Sequence, residues 1–377
     1  MRVPLSLFVL SLVITQLPYS LAGRRGLVAS ESSRSPRGDS QGTELSTWRA
    51  QLQDSDPAIR ETAALALAAK GISDQQVLDE LVAGMRRLRI GVYLTQPVPA
   101  YLCQAALVKL GQPAIPVLVQ ALAEDQSPVQ ALALQALGQI GPSARTAVPA
   151  IEKLLTPNDI PRMCLAAEVK WRIDGDADFT LQRMIPLLDQ PSGRRCNGAV
   201  YTLAKMGRAA SPALPALFSA LKQHESPHVL HAISQIAPYA KDQALPGLRA
   251  AAEDSVLADD IAIVLHDLGE PSDELIKKQL TRLRDCQPND GRNPQRIVYS
   301  IVIHGPAAKD AAGDLIDLLQ HQNPEVRRAA AWGIPRVFAD DQVVIKALTA
   351  AQTDPEVAEE AQKGLDMLRE ARRTPDR

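Results

Sequence analysis

The chain has 377 residues, 46% of them apolar and only 3% aromatic, with 41 Lys and Arg against 43 Asp and Glu for a net charge of −2. That balance excludes the basic footprint of a nucleic-acid-binding domain, and so few rings leave little to stack on bases. The apolar share suits a folded chain whose core is Leu, Ala, Val and Ile, as in helices packed closely through small side chains.

In chain order, Arg2 precedes a mostly apolar run from Val3 to Leu17, and Ser20-Leu21-Ala22 follows it. This pattern predicts an export signal at 1–22, cleaved after Ala22. The run is short for a membrane span and is interrupted by Thr15 and Gln16, so no stable membrane insertion is expected after cleavage. Retention as an uncleaved anchor stays open. The expected location is secreted or periplasmic. Residues 23–42, with Arg24, Arg25, Arg34 and Arg37 among Ser and Gly, read as a disordered linker.

From Thr43 a pattern recurs at an interval within the roughly 20–45 residues typical of stacked repeats. Gly71, Gly111, Gly141, Gly175, Gly207, Gly269 and Gly305 each close an apolar helical stretch, with Pro238 filling the same slot between Gly207 and Gly269. A proline string opens many units: AIPVL at Pro116, AVPAI at Pro149, MIPLL at Pro186, ALPAL at Pro215 and ALPGL at Pro246. Within Gln112 to Gly141, Ile115, Leu118, Val119 and Leu122 mark one helix face, Asp125 to Ser127 break it, and Val129 to Ile140 form a second. The unit is therefore helix A, a tight turn, helix B and a glycine stop. About ten such pairs are expected between 43 and 371, each burying its faces on its neighbours, with a polar tail at 372–377.

Asp56-Pro57-Ala58-Ile59-Arg60 and Asn323-Pro324-Glu325-Val326-Arg327, each opening an Ala-rich helix, resemble HEAT repeats, most closely the short bacterial subclass also found in phycobilisome lyases. The resemblance implies an all-α, right-handed α-solenoid with B helices on its concave face, and a non-catalytic scaffold for a protein or peptide partner. Two units depart from the pattern. Gly91 to Pro99 interrupts the second, and Arg284 to Gln295 adds a polar loop to the eighth, expected to be mobile and to free Cys286 for a partner.

Several clusters carry candidate chemistry. Asp174-Gly175-Asp176-Ala177-Asp178 opens like a calcium loop, but Phe179 and Ile185 stand where glycine and a carboxylate are required, so Gly175 reads as a repeat stop with Asp176 or Asp178 as a cap. His228 and His231 share a helix face, and alignment of unit ends places Asp259 beside His228. A polar ridge is preferred there over a metal site, and no cofactor is assigned. Cys103, Cys164, Cys196 and Cys286 read as small buried thiols, since Cys164 and Cys196, one helix spacing apart at about 8–10 Å, exceed disulfide reach. The candidate partner surface is Asn197, Tyr201 and Lys205, then His228, His231 and Gln235, then Arg328, Trp332 and Arg336. Trp332 reads either as an interface anchor or as a cover for the end of the stack. An enzyme or metal-binding protein on the same scaffold, or a structural component of an envelope complex, is the alternative. Deoxyhypusine hydroxylases resemble these repeats, but their several His-Glu dipeptides reduce here to His224-Glu225.

Overall fold

The structure is a computed structural model that describes residues 40–87, 99–124, 128–189, 194–337 and 342–373. The expected signal at 1–22, the linker to residue 39, the interruption after Gly91, the turn at 125–127 and the last four residues lie outside the described part, as does the side chain of Cys196. The chain divides into two compact units, Met1–Ala50 and Gln51–Arg377. In the first, the described residues belong to helix α1 (Ser40–Gln51).

The second unit is helical, with no strand among the described residues. It opens with α2 (Pro57–Ala69), a B helix. Pairs of A and B helices follow: α3 (Gln75–Arg86) with α4 (Pro99–Leu110), α5 (Ile115–Ala121) with α6 (Pro128–Ile140), α7 (Val148–Glu152) with α8 (Ile160–Asp174), and α9 (Ala177–Met184) with α10 (Arg194–Met206). The second half adds α11 (Leu214–His224) with α12 (Pro227–Ile236), α13 (Lys241–Asp254) with α14 (Ala258–Asp267), α15 (Ser272–Arg284) with α16 (Pro294–Val302), α17 (Ala312–Asp317) with α18 (Pro324–Val337), and α19 (Gln342–Ala351) with α20 (Ala358–Arg373).

Local chemistry sets these boundaries. The seven stop glycines all have positive φ, from 51° at Gly207 to 88° at Gly269, which a residue without Cβ adopts at little cost. One slot is corrected: Ala237, not Pro238, stands at the glycine position, and it opens a 3-10 turn as Gly141, Gly207 and Gly305 do, but with φ of −52°. The A-helix prolines take both forms that the spacing allows. Pro116, Pro149 and Pro215 sit in the first turn, where the missing N–H is not needed. Pro246 lies inside α13, and Pro186 marks the change from α9 to a 3-10 turn.

The two motif strings build one device twice. Asp56 accepts from Ala58 N at 2.8 Å, and Asn323 accepts from Glu325 N at 3.0 Å, each capping a helix start. Arg60 Nη1 then reaches back to Asp54 O at 2.8 Å while its Nε meets Glu80 of the next unit at 2.9 Å. Arg327 repeats this with His321 O at 2.9 Å and Asp354 at 2.7 Å. One arginine thus closes its own turn and clamps the following unit.

Consecutive B helices from α2 to α12 pack against one another in a row, and A helices pack against them. Small residues allow the approach: a Cβ at Gly198 would stand 3.1 Å from Cys164 Sγ, and one at Gly333 would run into Val298. The second unit is therefore an α-solenoid of stacked helix pairs. Its buried core is not uniform. One cluster runs from Met163 to Leu275 and the next from Ile276 to Leu368, so the division falls within α15. Around that division the contacts turn polar. Asp259 meets Arg282 Nε at 3.0 Å, Asp260 pairs with Arg296, and the rings of His266 and His304 stand edge to face at 4.3 Å.

Candidate functional site

Helix periodicity decides which B-helix side chains reach the surface. On α10, Ala199, Val200 and Leu203 are buried while Asn197 and Tyr201 are exposed, Tyr201 at 52%. Lys205, a turn further on, sets its ammonium 4.4 Å from the Tyr201 ring centroid and 3.0 Å from Glu168 Oε1 on α8. Glu168 is buried and also receives Arg172 Nη2 at 2.9 Å, so two cations share one carboxylate. On α12, His228 and His231 are half-buried and Gln235 is exposed. Burial first, and the charge of His228 second, hold His231 below its ordinary value. His231 is thus kept neutral near pH 7.

Asp259 finds a cation on the following helix. It is buried against Arg282 at 3.0 Å, because α14 does not follow α12 with the close B-to-B packing that the alignment assumes. Burial still raises its carboxyl above the usual range, with Arg282, Arg296 and Arg292 opposing. Among the described residues, no three His, Cys, Asp or Glu side chains converge as a metal site would require. At the calcium-like string, Gly175 is the left-handed stop and Asp176 caps α9 by accepting from Phe179 N at 3.0 Å. The cation there is the protein's own: Lys170 Nζ lies 2.6 Å from Asp174, 3.6 Å from Asp176 and 4.1 Å from the Phe179 ring centroid.

The loop from Arg284 to Gln295 is tied down, contrary to expectation. Asp290 accepts from Gln287 N at 2.8 Å and Arg292 N at 2.9 Å, Arg292 Nη1 donates to Arg282 O at 3.1 Å, and His321 holds Arg284 O at 2.9 Å from the next unit. Cys286 is fully buried within the second core cluster and is not free to reach a partner. Cys103, Cys164 and Cys286 are all free thiols. Burial pushes Cys103 and Cys164 up to about 12, so neither supplies a thiolate at neutral pH.

The third group sits on α18. Arg328 pairs with Glu356 at 3.0 Å, and Arg336 lays its guanidinium carbon 4.0 Å from the Trp332 ring centroid. Trp332 does not close the stack, because α19 and α20 follow it and α18 packs against α20. It is half-buried against the second core cluster and faces Tyr299 of α16 at 6.4 Å. Tyr299, 47% exposed, was not singled out from sequence. The signal was present: it stands as far ahead of Gly305 as Tyr201 does ahead of Gly207. Tyr101 on α4, 43% exposed, is another exposed B-helix ring outside the expected set. The expected residues therefore form two patches, one on α10 and α12 and one on α18, the second extended by Tyr299.

No protein-family model matches the chain, and no curated protein is similar to it. Among solved structures, it is similar to the karyopherin Kap121p bound to the extreme C-terminus of the protein phosphatase Cdc14p, at 11% identity over 88% of this chain and 43% of that one, TM-score 0.49. It is also similar to an engineered protein, at 19% identity over 86% of this chain and 99% of that one, TM-score 0.36. A third is the CpcE–CpcF complex of phycocyanin lyase from Nostoc sp. PCC7120, at 16% identity over 87% and 99%, TM-score 0.25. The chain spans less than half of the karyopherin's length. The solenoid fold stands on the helix pairs and their packing, independently of these likenesses.

Proposed function

We propose that this chain is a non-catalytic scaffold that binds a protein or peptide partner on the exposed face of its B helices, outside the cytoplasm. The observation that carries this reading is the exposure of aromatic rings on B helices of a protein with so few of them. Tyr101, Tyr201 and Tyr299 are 43%, 52% and 47% exposed, and Trp332 joins them partly buried. Tyr and Trp on a rigid helix face, with cations packed on the rings, are the usual anchors of a protein interface. An extended repeat surface recognises its partner through many such contacts, without a deep pocket. The raised thiols of Cys103 and Cys164 agree with a role that uses no nucleophile. Export rests on the segment from Arg2 to Ala22.

The test is co-purification from the envelope fraction and medium of the native host, with N-terminal sequencing of the recovered chain. A reproducible partner lost on Tyr201→Ala or Trp332→Ala, with a mature N-terminus at Gly23, supports the reading. Recovery of the same proteins by wild type and both variants overturns the assigned surface. A full-length chain in the cytoplasmic fraction overturns the location.

A further inference from the structure

The stack of Tyr299, Trp332 and Arg336 sets a guanidinium beside two rings on adjacent B helices. Arg172 and Lys205 share Glu168, Arg296 has Asp260, and Arg328 has Glu356. Among the described residues, Arg336 has no ion-pair partner. It donates through Nη1 to the carbonyl of Trp332 in its own helix and, among the described residues, to no other acceptor. Among the described residues, the carboxylate whose field reaches it, Glu360 on α20, is itself held by Lys363 at 3.0 Å. Burial pulls the Arg336 guanidinium below its ordinary value, so the group is partly desolvated without the counter-charge that would offset the cost.

We propose that this stack docks an acidic segment of a partner polypeptide, with an Asp or Glu carboxylate on the open edge of Arg336 and a neighbouring apolar side chain laid across Tyr299 and Trp332. The inference rests on the scaffold reading and specifies its partner.

Three features favour that occupant. A guanidinium offers a planar fork matched to a carboxylate, and stacking on Trp332 fixes the plane of the fork in advance, so little side-chain freedom is lost on binding. The ring pair supplies apolar area next to the fork, with Tyr299 and Trp332 centroids 6.4 Å apart on adjacent B helices. Those helices approach because residue 333 is glycine, where any Cβ would meet Val298. The platform is therefore built by the repeat packing before any partner arrives, which lowers the ordering cost of binding.

The probe is a random-peptide display library panned against the full chain, followed by affinity measurement on synthetic copies of the enriched peptides. The expected result is enrichment of Asp or Glu beside Pro, Leu or an aromatic residue. Replacement of that acid by its amide should lower affinity by roughly 10- to 100-fold, as should Arg336→Gln. Arg336→Lys should recover only part of the loss, because an ammonium lacks the planar fork. Circular dichroism of Arg336→Gln should match wild type, since the residue keeps most of its contact with solvent and its hydrogen bond is to its own helix. Enriched peptides that are neutral or basic, or acidic ones that bind Arg336→Gln unchanged, overturn the proposal. In either case, retention of a native partner that is still lost on Tyr201→Ala leaves the scaffold reading intact, so the two fail separately.

Discussion

Between α10 and α12 the solenoid is joined by fat; between α14 and α16 it is joined by charge. In the first region Leu203, Leu217, Ile233 and Ile236 are fully buried and the core is continuous. In the second the core divides, and Asp259–Arg282, Asp260–Arg296 and His266–His304 occupy the contact. Apolar packing holds strength over a wide range of pH, whereas buried polar contacts depend on each partner keeping its charge state. The lesson is that one repeat pattern produces joints of different kinds, and the polar joint is the conditional one.

The comparison is sharpened first by cavity formation. Leu203→Ala should cost about 2–5 kcal/mol in urea unfolding followed by circular dichroism, because the side chain is wholly enclosed. A loss well below that range would mean that neighbouring units collapse into the space. In the polar joint, Arg282→Met should cost less, about 1–3 kcal/mol at neutral pH, by leaving buried Asp259 without its nearest cation. That loss should shrink in acid as the carboxyl takes up a proton, whereas the Leu203→Ala loss should not.

A third experiment separates the joints by pH alone. His304 is 6% exposed, with Nδ1 3.0 Å from Ser272 Oγ and Nε2 without a protein partner. Burial first, and the charge of His266 second, lower it from its ordinary 6.5 to about 4. The folded state therefore prefers the neutral ring. Its stability contribution is complete above pH 6.5 and is lost as pH falls toward 4. Unfolding midpoints between these limits should decline in wild type and flatten in His304→Gln. An identical decline in both would assign the acid sensitivity elsewhere. The smallest effect is at the surface: Tyr201→Ala should change stability by less than about 0.5 kcal/mol, so any loss of partner binding there is a loss of contact, not of fold.

Much of the architecture was legible because it is written in local rules. Glycine at the stop, proline in a first turn, and Asp or Asn before Pro each act through their own backbone, so Gly141 and Pro116 announce helix ends without reference to the rest of the chain. The misplaced slot at Pro238 shows the limit, since Ala237 opens with a negative φ the same kind of 3-10 turn that a glycine opens elsewhere, and an alanine does not mark the place. The candidate surface was legible in part. Tyr201 with Lys205 and Trp332 with Arg336 follow from helical spacing, and their contacts are intrahelical.

What the amino-acid order determined by itself was therefore the unit: where each helix begins and stops, and which of its faces is apolar. Tertiary structure alone decided what meets across units. Asp259 met Arg282, Glu168 drew in Lys205, and Tyr299 came to rest beside Trp332. The physical reason is reach: caps and stops act over a single turn of backbone, whereas these partners lie on different helices and meet only once the packing of small residues has set the distance between them.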